Sequence, residues 1–310
     1  MRKFRTNLKP TKMKKIIQTV FLLVVPLFLS AQSVSPDVIS SSGDYFEGSN
    51  ASLSWTLGEI ATETLSNGSV TLTQGFQQPI SVVIHGIDLD MLVYLEGPYQ
   101  EGSMVTHLKD SDLLPTSQPY SGVPWNCPGS EIVDPIPANV VDWVCVELRD
   151  AASAETADGS TWVEKQAAFI LNDGSVVGLD GVSVLQFTAN IYKNPYIVVW
   201  HRNHIGILSA NALTEEGGTY SYDFSTSITQ AHGGAAGYKI IDTGSGLYGM
   251  AGGDANNDGS IGAADKSLWS GDAGTTGYKS SDFNLDTQVS NPDKNDIWQK
   301  NSTVSSQIPE

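Results

Sequence analysis

The chain has 310 residues, with 34 acidic against 17 basic side chains and a formal charge of −17. At 40% hydrophobic residues with seven tryptophans it is too apolar for a disordered polyanion. It is also too acidic for a nucleic-acid binder, whose phosphate contacts need a basic surface.

Seven of the basic residues lie between Arg2 and Lys15, a stretch with no acid. Lys14 and Lys15 precede an apolar run from Ile16 to Leu29, closed by Ser30-Ala31-Gln32. A basic start, a short apolar middle and a small residue before the cut are the parts of a secretory signal peptide. Residues 1–31 are therefore expected to be removed and the mature protein to be secreted or held at the cell surface. The run is shorter than the roughly 20 residues that span a bilayer, which argues against an anchor. Ten basic groups then face 34 acidic ones. Such a chain repels itself, and a bound divalent cation would stabilise it.

Residues 32–80 read as a small β-unit. Ala51-Ser-Leu-Ser-Trp-Thr-Leu and Val70-Thr-Leu-Thr alternate in period two, and Ser66-Asn-Gly-Ser69 is a hairpin signal. Residues 81–250 read as the main domain, with strands at Leu89–Leu95, Val140–Leu148, Trp162–Leu171, Leu185–Ile191, Tyr196–Trp200 and Thr219–Phe224. Asn172-Asp173-Gly174 marks a tight turn. No stretch before residue 260 keeps a helical period over three turns. The expected fold is mainly β, an antiparallel β-sandwich of jelly-roll or immunoglobulin-like topology. Cys127 and Cys145 would close a loop of 18 residues. A disulfide between them is worth roughly 3 kcal/mol in the chain-entropy model. Buried free thiols or a thiol nucleophile are the alternatives.

From Ala251 the composition turns to Asp, Asn, Gly and Ser, and an internal repeat appears in residues 251–301, before a short tail at 302–310. Asp254-Ala-Asn-Asn-Asp-Gly-Ser-Ile-Gly-Ala-Ala-Asp265 is echoed 28 residues later by Asp282-Phe-Asn-Leu-Asp-Thr-Gln-Val-Ser-Asn-Pro-Asp293. Each copy is followed by Lys and then Trp: Lys266 and Trp269, Lys294 and Trp298. A twelve-residue calcium loop takes oxygen ligands at positions 1, 3, 5 and 12 and a backbone carbonyl at 7. The first copy offers Asp254, Asn256, Asp258 and Asp265 with the carbonyl of Ser260. The second offers Asp282, Asn284, Asp286 and Asp293 with the carbonyl of Gln288. Two calcium ions are the expected cofactors.

Position 6, where positive φ is needed, is Gly259 in one copy and the β-branched Thr287 in the other, so the second loop is expected to be strained. Ile261 and Val289, at position 8, are expected to pair. Asn291 or Ser290 and Pro292 suit the start of a second helix, and Ser270-Gly271 is expected to cut the first short.

The pair resembles the dockerin family, two calcium loops each followed by a helix. The resemblance covers about Asp254 to Asn301 and implies calcium binding and docking onto a cohesin-like receptor, often in polysaccharide-degrading assemblies. Leu53-Ser-Trp-Thr-Leu-Gly-Glu59 with Leu72-Thr-Gln-Gly-Phe-Gln-Gln-Pro79 resembles a short β-module of surface-destined Gram-negative proteins. Leu95-Glu-Gly-Pro-Tyr99, Ile136-Pro-Ala-Asn-Val-Val-Asp-Trp143, Val146-Glu-Leu-Arg149 and Trp200-His-Arg-Asn-His204 resemble a β-domain that precedes such repeats.

His201 and His204, with His232, lack a Cys or Glu at ligand spacing, so strand-end packing and hydrogen bonding are their expected roles. Glu147, Asp150, Glu164 and Asp180 lie near expected strands, where two carboxyls about 5 to 9 Å apart would suit glycoside hydrolysis. Salt bridges or solvated surface are the blander reading. Trp125 or Tyr120 could stack on sugars. With no metalloprotease stretch, nucleophile elbow or phosphate-binding glycine loop, the expectation is a secreted, non-catalytic calcium-binding assembly protein with a surface-protein partner. A polysaccharide-acting or carbohydrate-binding component and an autonomous adhesin are the alternatives.

Overall fold

The computed structural model describes residues 42–47, 52–57, 64–66, 71–73 and 84–310; the expected signal segment lies outside them. The chain divides into two compact units, Met1–Glu63 with Gln74–Gln78, and Thr64–Thr73 with Pro79–Glu310. In the first, β1 (Ser42–Glu47) and β2 (Ser52–Leu57) form an antiparallel pair in the register Ser42 to Leu57. The second begins with β3 (Thr64–Ser66) and β4 (Thr71–Thr73), which pair on either side of Asn67-Gly68.

The rest of the second unit is built on one large curled sheet, and the protein is mainly β. Its strands are β5 (Ile84–Leu92), β8 (Val140–Ala151), β9 (Trp162–Leu171), β10 (Ser175–Val177), β11 (Leu185–Ile191), β12 (Asn194–Trp200), β13 (Ile207–Leu208), β14 (Thr214–Glu216) and β15 (Thr219–Asp223). The small hairpin β6 (Tyr99–Gln100) and β7 (Ser103–Met104) and one helical turn, α1 (His107–Asp110), stand between β5 and β8. A second hairpin, β16 (Tyr238–Asp242) with β17 (Leu247–Met250), follows β15. The order across the sheet is β13-β12-β8-β9-β10-β5-β15-β14, with β11 also on β5.

Sequence pattern explains position in the sheet. β8, rich in apolar residues but carrying Asp142, Glu147 and Arg149, lies between β12 and β9 and is buried over nearly its whole length. In β5 the alternation of Ile87, Leu89 and Met91 with Asp88 and Asp90 puts one face into the core. The polar β14 takes the edge. Asn172-Asp173-Gly174 turns β9 into β10 with Gly174 at φ 89°.

All six expected strands are present, but the sheet is not wholly antiparallel: β15 runs parallel to β5, Tyr220 beside Leu89. More than a hundred residues separate these two strands, so no hairpin dictates their relative direction. Leu285, from the second repeat, packs into the same core as the sheet.

The expected bridge between Cys127 and Cys145 is not formed; both are buried free thiols. The two thiols are neighbours: Cys145 lowers the pKa of Cys127, while Cys127 and burial raise that of Cys145. The contact places one sulfur beside the other, ready for oxidation. After exposure to an oxidising, disulfide-exchanging buffer, the protein denatured without reductant is expected to take up no alkylating reagent. Two labelled thiols under those conditions would show that the pair stays reduced.

Candidate metal centre

Both repeat loops adopt the same backbone shape. Position 4 has φ 58° at Asn257 and 57° at Leu285; position 6 has 79° at Gly259 and 82° at Thr287. Thr287 therefore carries the expected strain, since a β-branched residue is forced into a region glycine occupies freely.

The hydrogen bonds repeat as well. The position 6 amide donates to the first Asp: Gly259 N to Asp254 Oδ2 at 3.1 Å, Thr287 N to Asp282 Oδ2 at 3.0 Å. The position 5 amide donates to the Asn at position 3, at 3.1 Å in both loops. The position 7 amide donates to Asp258 or Asp286, at 2.9 Å in both. The last Asp, at position 12, accepts from the amides of positions 3 and 9. Asp265 takes Asn256 N at 3.2 Å and Gly262 N at 2.7 Å; Asp293 takes Asn284 N at 3.1 Å and Ser290 N at 2.7 Å. These bonds tie the side chains at 1, 3, 5 and 12 to amides of their own loop.

Asp254, Asp265, Asp282 and Asp293 are buried. Asp254 Oδ1 has no hydrogen-bond partner. Burial, then the charge of Asp265, pushes the Asp254 pKa up to about 7. Asp282 also rises to about 7, through burial with Asp293 and Asp286 adding to it and Arg202 opposing. Burial raises Asp293 too. Among the described residues no three acidic, histidine or cysteine side chains close on a single point as a finished cage. Their oxygens are turned towards amide N–H groups. The donor set is hard oxygen throughout, with a buried carboxylate oxygen left without a partner, and it fits calcium.

The two loops do not pair through Ile261 and Val289. Each is instead completed by the segment that follows the other repeat's helix. Ile261 N donates to Val304 O at 2.9 Å and Ser306 N to Gly259 O at 2.7 Å, so the tail at 302–310 is part of the first loop's wall. Val289 N donates to Thr275 O at 2.9 Å and Gly274 N to Val289 O at 2.8 Å. The tryptophans cross in the same way. Trp269 Nε1 donates to the Ser290 carbonyl at 2.8 Å, and Trp298 Nε1 to the Gly262 carbonyl at 2.9 Å. Lys294 lies 4.7 Å from the Trp269 ring centroid and Lys266 5.4 Å from that of Trp298, cation over indole.

The first helix, α2 (Ala263–Asp272), runs through Ser270-Gly271 rather than stopping there. The second begins at Asn291-Pro292 and is π-helical over Asp293–Trp298 before Gln299–Asn301 (α3). Trp269 is four residues beyond Asp265, but Trp298 is five beyond Asp293. A π-turn absorbs the extra residue and returns the indole to the equivalent place.

The stretch Trp200-His-Arg-Asn-His204 joins these loops to the sheet. Asp142 on β8 is fully buried. Burial alone would raise its pKa, but Arg202, His201 and Tyr278 hold it down at about 2. Arg202 Nε donates to it at 2.8 Å and Tyr278 OH at 2.7 Å, while the guanidinium lies over the Tyr278 ring at 4.1 Å and donates to the Lys279 carbonyl. Asn203 accepts at its carbonyl from Gly253 N and Asp254 N, and its side chain donates to Asp282 O at 2.6 Å. One residue thus holds the first position of both loops. Gly97 admits the second loop, for a Cβ there would lie 1.7 Å from the Phe283 carbonyl oxygen.

His201 and His204 are buried, within hydrogen-bond distance of each other at 3.0 Å, and lowered in pKa chiefly by burial. His232 does not join them; its amide pairs with Leu208. The four sheet carboxylates are engaged separately. Glu147 is paired to Arg149 and Lys165, Asp150 accepts from Tyr192 N and Lys193 N, Glu164 from Thr188 N and Ala189 N, and Asp180 from Val182 N and Ser183 N. Tyr120 is wholly buried with its hydroxyl on the Trp143 carbonyl, so it presents no stacking face. Sequence reading missed the roles of Asn203 and of the crossed Lys–Trp pairs, although the repetition of Lys and Trp was visible. No protein-family model, curated protein or solved structure matches the chain.

Two predictions follow from this geometry. Raised carboxyl pKa values mean that the metal-free fold holds protons more tightly than the unfolded chain. That stabilisation is full below the unfolded value of 3.8 and is lost as pH rises through about 7. The gap between melting temperatures in calcium and in EDTA should therefore widen from pH 4 to pH 7; a constant gap would contradict it. Trp298→Phe keeps the ring but deletes the bond to Gly262, worth about 1 kcal/mol. Calorimetric calcium titration should show about fivefold weaker binding at loop one, with loop two nearly unchanged.

Proposed function

We propose that this is a secreted, non-catalytic calcium-binding protein of the cell surface or of an extracellular assembly, whose C-terminal double loop serves attachment. The observation that carries the reading is the residue-by-residue duplication of loop geometry: two positive-φ positions and the same side-chain-to-amide bonds, 28 residues apart. A turn made of Asp and Asn needs no such duplication. Asp254, Asn256, Asp258, Asp265 and the Ser260 carbonyl would hold one ion, with Asp282, Asn284, Asp286, Asp293 and the Gln288 carbonyl holding the other. Each ion would supply the positive charge that three mutually repelling carboxylates lack.

Bound calcium would be felt beyond the loops. Asp254 and Asp282 are tied through Asn203 to the end of β12, so ordering the loops also stiffens the sheet end. The surface offered to a cohesin-like partner would come from the exposed faces of the two helices, including the exposed Leu268 of α2.

The test is calcium titration of the mature chain and of the Asp254→Ala, Asp282→Ala double variant, followed by capture of partners from the organism's envelope and medium in calcium or EDTA. Two sites lost together in the double variant, with a partner held only in calcium, are the expected results. Two sites retained in the variant would overturn the ligand assignment.

A further inference from the structure

Asn203 stands in the turn after β12 and is wholly buried. It is bonded to both repeat loops at their first positions. Its carbonyl accepts from Gly253 N at 2.9 Å and Asp254 N at 3.2 Å, while its side-chain Nδ2 donates to the Asp282 carbonyl at 2.6 Å. Each crossed indole bond ends on one loop, but the bonds of Asn203 end on two.

The Asn203 amide has little freedom to turn. Gly97 N donates to His204 Nε2 at 3.2 Å, so the proton of the neutral imidazole sits on Nδ1. That N–H faces Asn203 Oδ1 at 2.8 Å, which leaves Nδ2 as the end that meets Asp282. The main chain on either side is fixed as well. Arg202 is held by Asp142 and by the Lys279 carbonyl, and Ile205 N donates to Ala251 O at 2.8 Å. His204 also leads to the second loop by another route, because Gly97 lies against Phe283 too closely to admit a Cβ. A movement of Asp282 therefore acts on a rigid residue, and that residue holds the amides of Gly253 and Asp254.

We propose that Asn203 is a positioning residue that couples the two loops, so that calcium in either loop tightens calcium binding in the other. The inference rests on the calcium reading above, and adds that a residue outside the repeats carries the coupling. Asn203 bonds only main-chain atoms of Asp254 and Asp282, whose side chains take the ions. An empty loop gives up conformational freedom when it binds. With one loop filled, Asn203 already holds the first residue of the other, and the second ion finds less freedom left to remove. By linkage the factor is the same in both directions.

The full mature chain would be titrated with calcium by calorimetry beside Asp254→Ala, which disables loop one, and Asp282→Ala, which disables loop two. The site remaining in each variant should bind calcium at least about fivefold more weakly than the same site does in the unaltered chain with its partner loop filled. Asn203→Ala keeps the carbonyl and loses Nδ2; it should retain two sites whose affinities no longer depend on each other. A second readout leaves Asn203 in place. In Asp254→Ala, filling loop two should slow amide hydrogen exchange at Gly253 and at position 254 about fivefold. Adding Asn203→Ala should abolish that slowing although both amides keep their acceptor. Two independent sites in the unaltered chain, undiminished coupling in Asn203→Ala, or exchange at Gly253 indifferent to loop two would overturn the coupling alone. Binding of no calcium by the unaltered chain would overturn the calcium reading itself, and this inference with it.

Discussion

The structure depends on a charge placed where it cannot be solvated. Asp142 sits in the central strand β8 with no exposure, and a buried carboxylate is tolerated only when its partners are complete. Arg202, His201 and Tyr278 supply them, and each partner brings its own stretch of chain. Arg202 belongs to the turn after β12, and Tyr278 to the linker between the repeats. Satisfying one carboxylate therefore anchors the linker to the sheet. Arg202 is buried as well, and its Nη1 donates to the Lys279 carbonyl, pinning the residues that lead into the second loop. Removing one partner of such a pair typically costs about 3–5 kcal/mol, because the other charge is left unpaired.

From that anchor the two loops build each other. Each loop's outer edge is completed by the chain that leaves the other helix, and each indole N–H ends on the other loop's position 9 carbonyl. Neither repeat could make these bonds alone, which fits the short helices and small apolar clusters around Ile261 and Phe283. The π-helical turn at Asp293–Trp298 shows how strongly the crossed arrangement is held. One extra residue is taken up as an unusual backbone rather than by moving the tryptophan.

The same sheet that anchors the loops also leaves a cleft beside them. Its basic residues Arg149 and Lys165 come from neighbouring strands, so their convergence follows from register. The tail at 302–310 closes part of it: Ile308 packs near Trp200, and Ser306 bonds both Gly259 and Gly206. Folding of the first loop and the shape of the cleft are thereby linked through one short segment.

Local chemistry was readable in advance. Strand positions follow from period-two alternation and Gly or Asn turns, and the loop donors follow from their spacing and from the second copy. The strain at Thr287 follows from its side chain alone. What remained hidden involved partners distant in sequence. The parallel seating of β15 on β5, the crossed Lys–Trp pairs, the double hold of Asn203 and the gathering of Arg149, Lys165, Trp125 and Trp200 all join residues whose proximity no local pattern encodes. A repeat announces which oxygens can gather around an ion. Only the packed chain decides which carbonyl meets which indole, because that depends on how the whole sheet and its connections fill space.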